Sequence, residues 1–187
     1  MSGFTVFIVI AAIGAVVVLW GVGAYNAFVK MRNVVEEAFS TMDVYMKKRY
    51  DLIPNLVESV KGYAAHESGT FEKVVQARNI AQQATTVEEK LAAENALTGT
   101  LRSLFALAES YPDLKANQNF LDLQSQLQKV EEDIANSRKY YNAVVKEYNT
   151  KAEQFPSNFI ANMFNFTRKP MFEMENEAER QNVKVEF

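Results

Sequence analysis

Hydrophobic residues are concentrated at the start of the chain, and further along they recur with helical spacing. The segment from Phe4 to Tyr25 contains no charged side chain, and its one plainly polar member is Thr5. A helix of this length, rising about 1.5 Å per residue, would extend about 33 Å and could cross a hydrocarbon core of about 30 Å. The pattern predicts a transmembrane anchor over residues 1–29.

A cleaved signal peptide is the alternative interpretation of this segment. Such a peptide has a positive n-region, a shorter apolar stretch and small residues at its cleavage site. Here the first charged side chain is Lys30, and apolar residues continue beyond Trp20. We therefore favour an uncleaved anchor, whose membrane and interface residues include Phe4, Trp20 and Tyr25.

Positive charge lies on the C-terminal side of the predicted anchor. Lys30 and Arg32 follow it, whereas residues 1–3 contain no Lys or Arg. The positive-inside rule predicts a single-pass protein of the inner (cytoplasmic) membrane, with its N-terminus outside and its bundle in the cytoplasm. Small residues would let two anchors pack closely, and they equally fit a lone spanning helix. They are Ala11, Ala12, Gly14, Ala15, Gly21 and Gly23.

Beyond the anchor, apolar residues recur every three or four positions and predict further helices. The first stripe, over residues 32–67, continues the anchor; we expect a kink at Pro54 and an end at Gly69. A shorter helix is predicted over residues 71–84. A third begins at a capping box on Thr86 and extends to about residue 110.

The fourth predicted helix, over residues 117–154, has the clearest pattern. Apolar residues spaced by seven have a companion row three positions later: Phe120, Leu127, Ile134, Tyr141 and Tyr148, then Leu123, Val130, Ser137 and Val144. Such a seam packs against other long helices at a shallow angle. We predict an all-α fold in which the anchor continues into an antiparallel four-helix bundle over residues 30–155. Residues 156–187 would form a Phe-rich segment and a tail, with 183–187 as a short strand or part of the tail.

Composition argues against most forms of catalysis. The 187 residues include no cysteine and one histidine, His66, so thiolate chemistry, a histidine metal cluster and a Ser-His-Asp triad are not expected. Tyr63 stands where the Glu-x-x-His motif of a di-iron bundle requires Glu. The net charge of -3 argues against nucleic-acid binding. We expect no enzyme activity, cofactor, metal or small-molecule substrate.

Polar side chains interrupt the apolar stripes. Arg49 falls where a core residue is expected, and a buried guanidinium needs a carboxylate or carbonyl partner. Asp51, Glu58 and Glu131 are candidate partners for it. We predict an internal network that fixes helix register, and the alternative is a polar contact surface for a partner or a neighbouring copy. The predicted network comprises Arg49, Asp51, Asn55, Arg78, Glu131, Arg138, Asn142 and Asn149.

The up-down-up-down order returns the end of the fourth helix to the membrane. A run of apolar residues that includes Phe159 and Phe164 would arrive there, followed by Arg168 and Lys169, whose charges suit anionic headgroups. We hypothesise that this segment enters the membrane interface or docks on a neighbour at that level. The alternative is that its aromatic side chains cap the bundle core.

Several motifs of this chain resemble the LemA family. They are distributed in unbroken order over about residues 25–172: the runs 49–57, 60–63 and 111–116, then His66-Glu67, Ala77-Arg78, Asn119-Phe120, Glu131, Ile134, Arg138, Tyr141-Asn142, Tyr148-Asn149 and 155–158. Two positions depart from the family pattern. Tyr45 replaces the commoner Gln, and Asn165 replaces a Gly before Phe166. The second departure puts the family's tight C-terminal turn in question for this chain.

The resemblance implies a bacterial or archaeal protein with one membrane helix, a helical bundle and no established enzymatic activity. Some members of the family are linked to building or shaping an internal membrane compartment, and others are encoded beside membrane proteases. We therefore expect a homo-oligomeric scaffold that binds membrane lipid and organises or shapes the inner membrane. The alternative is an adaptor or regulator of a membrane protein partner, such as a quality-control protease in envelope stress.

Overall fold

A computed structural model describes residues 3–172, and helices are the regular elements of that range. In chain order they are α1 (Gly3–Lys61), α2 (Ser68–Gln83), α3 (Val87–Ala108), α4 (Pro112–Lys115), α5 (Gln118–Glu153) and α6 (Ser157–Met163). The predicted all-α fold is confirmed: α1, α2, α3 and α5 form the bundle, and α4 and α6 are short additions. The predicted strand or tail at 183–187 lies outside the described residues.

Helix α1 connects the apolar N-terminal segment to the bundle without a break. Its 59 residues extend about 88 Å at about 1.5 Å per residue. Pro54 lies inside the helix as predicted. The predicted end at Gly69 is wrong: α1 ends at Lys61, because the chain turns at Gly62, a poor helix former, and Gly69 lies in the first turn of α2.

Helices α2 and α3 form a hairpin against the C-terminal half of α1. The predicted capping box opens α3: the Thr86 hydroxyl accepts from the Glu89 backbone N–H at 3.1 Å, and the Glu89 carboxylate accepts from the Thr86 N–H at 3.1 Å. An ion pair between Lys90 and Asp43 places the start of α3 beside the middle of α1. Because α2 has 16 residues, or about 24 Å, this hairpin leaves the preceding part of α1 uncovered.

Helix α5 packs antiparallel along α1 through the predicted seam. All five residues of the main row are buried: Phe120, Leu127, Ile134, Tyr141 and Tyr148. In the companion row Leu123 and Val144 are only partly buried, and Val145 and Asn149 take the interior position at the C-terminal end. A straight helix has 3.6 residues per turn, so a strict seven-residue row drifts by about 20° per heptad and the contact face moves to the next residue.

The polypeptide after α6 docks back along α5 through side chain to backbone hydrogen bonds. The Asn142 amide donates to the Phe172 carbonyl and accepts from the Phe172 N–H, both at 2.8 Å. Asn149 makes the same pair of bonds with Lys169, at 2.9 and 2.8 Å. These asparagines are seven residues apart and share a face of α5, so they hold residues 169–172 much as a neighbouring strand would. We call this arrangement the asparagine clamp.

Aromatic packing completes the cover over the part of α1 that the α2–α3 hairpin leaves open. The Phe166 ring stacks on Phe28 with centroids 4.9 Å apart, and the Phe172 ring packs edge-on against Tyr141 at 5.6 Å. Burial raises the pKa of Tyr141 to about 12, so its hydroxyl stays protonated and donates to the Pro170 carbonyl at 2.9 Å. Phe166 and Phe172 therefore belong to the core, as the core-capping alternative predicts.

The turn that precedes Phe166 contains Asn165 in place of the expected glycine. Asn165 adopts a φ of 56°, in the left-handed region that favours glycine. Asparagine tolerates this region better than most other residues, because its short side chain can hydrogen-bond locally. The tight turn is therefore kept despite the departure from the family pattern.

We expect Asn142→Ala and Asn149→Ala each to lower the free energy of unfolding by about 1–3 kcal/mol, because each leaves a backbone N–H and a carbonyl of the docked segment without partners. Denaturant titration of the detergent-solubilised chain measures this change, and hydrogen exchange at Lys169 and Phe172 reports the clamp itself. Each Asn→Ala change also raises the helix propensity of α5, which by itself stabilises the helix. Asn136→Ala, at an exposed position on α5, measures that effect alone and is the matched control. Unchanged exchange in both clamp variants would contradict this role.

Candidate functional site

A buried arginine lies at the centre of the bundle. The side chains of Arg49 and Glu94 are each 1% exposed, and Nη1 of Arg49 is 2.9 Å from Oε2 of Glu94. Nη2 donates to the Thr98 hydroxyl at 2.8 Å, and Nε forms an ion pair with Oε1 of Glu131 at 2.9 Å. Arg49 belongs to α1, Glu94 and Thr98 to α3, and Glu131 to α5. The arginine therefore fixes three helices against one another, and we call these residues the ion cluster.

Glu94 and Thr98 are the members of the ion cluster that the sequence analysis missed, and Glu94 is the charged one. It lies three residues before Leu97, in phase with the buried stripe of α3, which is the same signal that singled out Arg49. Its second carboxylate oxygen accepts a hydrogen bond from the Tyr50 hydroxyl. Burial, followed by the neighbouring Glu94 charge, raises the pKa of Tyr50, so this hydroxyl remains a donor.

The edge of the ion cluster opens into a groove between α3 and α5. The groove has a volume of about 370 Å³ and is bordered by Leu101, Phe105 and Leu127 as well as by Arg49 and Glu131. Both carboxylates of the cluster are committed to the guanidinium or to Tyr50. Within residues 3–172, no group of three or more His, Asp or Glu side chains is arranged to hold a metal ion. The arrangement is suited to fixing helix positions.

The other predicted network residues divide between the cluster, its margin and the surface. Nε of Arg78 donates to the Tyr50 carbonyl at 2.9 Å, at the margin of the cluster. Asp51 pairs with Lys47 at 3.0 Å on the surface, and Asn55 is exposed. Positions two and six residues from Arg49 point away from it on a helix, so Asp51 and Asn55 lie outside the cluster.

Two further predicted network residues, Asn142 and Asn149, form the asparagine clamp, and Arg138 lies beside it. The Arg138 guanidinium lies 5.5 Å from the Phe172 ring centroid, a cation–π arrangement. Burial lowers the pKa of Arg138, and the nearby carboxylate of Glu94 opposes that shift. Three residues of the predicted network, all on α5, therefore contact the docked segment.

The second candidate region is the junction between α1 and α6. Residues 3–61 contain one segment apolar and long enough to cross a membrane, and none of that segment is buried within the described chain. Phe4, Trp20 and Tyr25 are exposed along it, and Lys30 and Arg32 follow as exposed cations. The predicted anchor residues therefore have no cover from the chain itself, apart from the contacts with α6 and the residues after it.

Helix α6 packs against the end of the apolar segment. A methyl group built on Gly21 would lie 3.7 Å from Cδ1 of Ile160, and the rings of Tyr25 and Phe164 are in edge contact with centroids 4.8 Å apart. The Ser157 hydroxyl donates to the carbonyls of Lys151 and Gln154 and so ties the start of α6 to the end of α5.

The predicted interface residues lie around this contact. Phe159 and Phe164 are exposed, and Nη1 of Arg168 is 3.1 Å from Oε1 of Glu153. Lys169 is held by its backbone in the asparagine clamp. Phe159 and Phe164 therefore do not join Phe166 and Phe172 in the core.

We expect Arg49→Met to destabilise the bundle by about 3–5 kcal/mol, because removing one partner leaves the buried Glu94 carboxylate uncompensated. Chemical denaturation of the full chain in detergent measures the change. Lys47→Met breaks the exposed pair with Asp51 instead and should cost less than about 1 kcal/mol. The double variant Arg49→Met, Glu94→Leu should recover part of the loss. Equal denaturation midpoints for Arg49→Met and the wild type would contradict the structural role of the cluster.

We also expect a pH dependence from Glu131. Burial raises the pKa of this carboxyl above its ordinary 4.5, and the Arg49 charge opposes the shift. The folded chain therefore binds a proton at Glu131 more readily than the unfolded chain does. The contribution of Glu131 to the free energy of unfolding is largest below pH 4.5 and falls as the pH rises through the raised pKa of the folded chain. Glu131→Gln should remove this part of the slope of unfolding free energy against pH. Glu132→Gln, an exposed neighbour, should keep it; identical slopes for all three proteins would contradict the expectation.

Comparison of the sequence with known proteins identifies the family of this chain. The family model described as "LemA family" matches residues 38–187. Protein LemA of Metamycoplasma hominis is 27% identical over 166 residues, covering 87% of this chain and 74% of that protein. Magnetosome protein MamQ 2 of Paramagnetospirillum magneticum is 25% identical over 175 residues, covering 80% of this chain and 64% of the relative.

A third relative is magnetosome protein MamQ of Magnetospirillum gryphiswaldense, which is 24% identical over 174 residues. The alignment covers 79% of this chain and 64% of that relative, so the chain spans less than two thirds of the MamQ length. The family match includes the ion cluster, the asparagine clamp and α6. Because it extends over most of the sequence, the chain belongs to the LemA family.

Proposed function

We propose that this protein is a non-enzymatic, membrane-anchored scaffold that self-assembles on the inner membrane and organises or shapes it. The observation that carries the proposal is the rigid connection between the apolar segment and the bundle. Helix α1 passes through both without a linker. A bundle joined in this way keeps one orientation to its anchor, and therefore to the membrane in which the anchor lies.

The contacts around the junction strengthen this connection. A bare helix of this length would bend, but α5 and the docked segment support α1 from Phe28 onward. The asparagine clamp prevents the docked segment from leaving α5 without losing four hydrogen bonds. If many such copies pack side by side, the fixed angle of each is imposed on the membrane between them.

The relatives are consistent with a role at membranes. Two of those compared are named as magnetosome proteins. The anchor, its orientation with the bundle in the cytoplasm, and the binding of membrane lipid are parts of the same proposal. The apolar segment and the cations that follow it support them.

An adaptor or regulator of a membrane partner, such as a quality-control protease, is the second candidate function. A groove of about 720 Å³ along α2 favours it, because Val75 and Ile80 are exposed there beside Phe71. In the scaffold the same groove would contact a neighbouring copy, which we propose as its occupant. The identity of the protein bound there therefore separates the two functions.

We expect the full chain, reconstituted into vesicles, to form oligomers and to change vesicle shape. Crosslinking with mass analysis reports the copies in contact, and electron cryo-microscopy reports membrane shape. The variant Asn142→Ala, Asn149→Ala should insert into vesicles but deform them less, whereas Asn136→Ala should act as the wild type. Monomers at every protein concentration, with unchanged vesicles, would contradict the scaffold. A different protein crosslinked to the α2 groove in native membranes, at constant stoichiometry, would support the adaptor.

A further inference from the structure

An exposed apolar surface lies on α6 and at its two ends. Phe155 is 75% exposed, Phe159 62%, Met163 71% and Phe164 49%. The rings of Phe155 and Phe159 are in contact, with centroids 5.9 Å apart. We call these four residues the α6 patch. Large apolar side chains at such exposure on one short segment indicate a surface that contacts something other than water.

The position of α6 along α1 indicates what the α6 patch contacts. Ile160 and Phe164 of the α6 region contact α1 at Gly21 and Tyr25, and with Val18 and Val22 these residues line a groove between the two helices. A spanning segment of about 20 residues that begins at Phe4 ends at about residue 23. Gly21 lies within that segment, so the side chain packed on it reaches the edge of the hydrocarbon.

If α6 lay wholly in water, the part of the apolar run left in the hydrocarbon would be too short to cross it. The hydrocarbon would then have to end before Val18, which leaves residues 4–17 as the spanning segment. These residues form a helix of about 21 Å, well short of a hydrocarbon core of about 30 Å. If the apolar run that starts at Phe4 fills a hydrocarbon core of about 30 Å, that core therefore extends to the level of α6.

Charged and aromatic side chains at the same level match the chemistry of that interface. Lys30 and Arg32 are exposed on α1 just beyond the contact with α6, and Arg168 is exposed on the segment that follows α6. Trp20 and Tyr25 lie at the depth where amphipathic rings collect at membrane surfaces. Cations above an apolar surface suit a leaflet with anionic headgroups.

We propose that the α6 patch is a second membrane contact, inserted into the interface of the leaflet on the bundle side, with anionic lipid as its occupant. The proposal rests on the membrane anchor of the proposed function. It also deepens that function, since a short apolar segment held beside the anchor adds volume to one leaflet alone. The contact of α6 with α1 sets its depth, and the asparagine clamp holds the chain that follows it.

The absence of cysteine allows the patch to be probed at single positions in the full chain. Nitroxide labels on Phe159→Cys and Met163→Cys, in vesicles of phosphatidylcholine and phosphatidylglycerol, report accessibility to oxygen and to a water-soluble nickel chelate. Leu121→Cys is the matched control, because Leu121 is 40% exposed near the start of α5, whereas the opposite end of α5 contacts Phe28 at the end of the apolar segment. Phe7→Cys, 68% exposed in the apolar segment, reports the anchor itself.

We expect the oxygen-to-nickel accessibility ratio at both patch positions to exceed that at Leu121 several-fold and to approach that at Phe7. A high ratio at Phe7 with a water-like ratio at both patch positions overturns the patch proposal and leaves the anchor intact. A water-like ratio at Phe7 instead overturns the anchor. Low accessibility to both reagents, with spin–spin coupling between labels, means that the patch contacts a second copy and overturns the lipid assignment. Circular dichroism confirms that each labelled chain is folded.

Discussion

A single uninterrupted helix is the constraint on which the rest of this structure depends. Helix α1 is shared by the apolar segment and the bundle, and α2, α5 and α6 pack directly on it. The helix has no Gly-rich or Ser-rich linker at which orientation could be lost, and Pro54 is accommodated within it. Packing on one part of α1 therefore determines the position of the whole bundle relative to the apolar segment.

The two parts of α1 beyond the apolar segment are held by different physical means. The C-terminal part is covered by α2 and α3 and fixed by the ion cluster, in which Arg49 bonds to side chains from two other helices. The α2–α3 hairpin is too short to reach the preceding part, and α5 and the docked segment cover it instead. There the asparagine clamp supplies the specificity, because two side-chain amides satisfy the backbone groups of a segment that has no secondary structure of its own.

Both the ion cluster and the asparagine clamp bind one part of the described chain to another. The carboxylates of the ion cluster are paired, and the raised pKa of Tyr50 keeps its hydroxyl protonated. The exposed apolar surfaces include the N-terminal segment of α1, the groove side of α2 and the α6 patch. Helices fixed to one another, with apolar side chains on their outer faces, are suited to assembly, and this supports the scaffold that we propose.

The sequence by itself determined the features that depend on local spacing: the long apolar helix, the capping box at Thr86, the seam of α5 and the placing of Arg49 in the core. Each of these is set by residues three, four or seven positions apart on one helix. Only the tertiary structure decided the partners. Glu94 was in phase with its own stripe, but its proximity to Arg49 depends on which helices are neighbours, and Asp51, close in sequence, points away. The asparagines of α5 could likewise be placed on a helix face, yet the backbone they bind lies 20 and 30 residues further along the chain. Helical periodicity carries no information about contacts at that separation, because they form only when the chain folds back on itself.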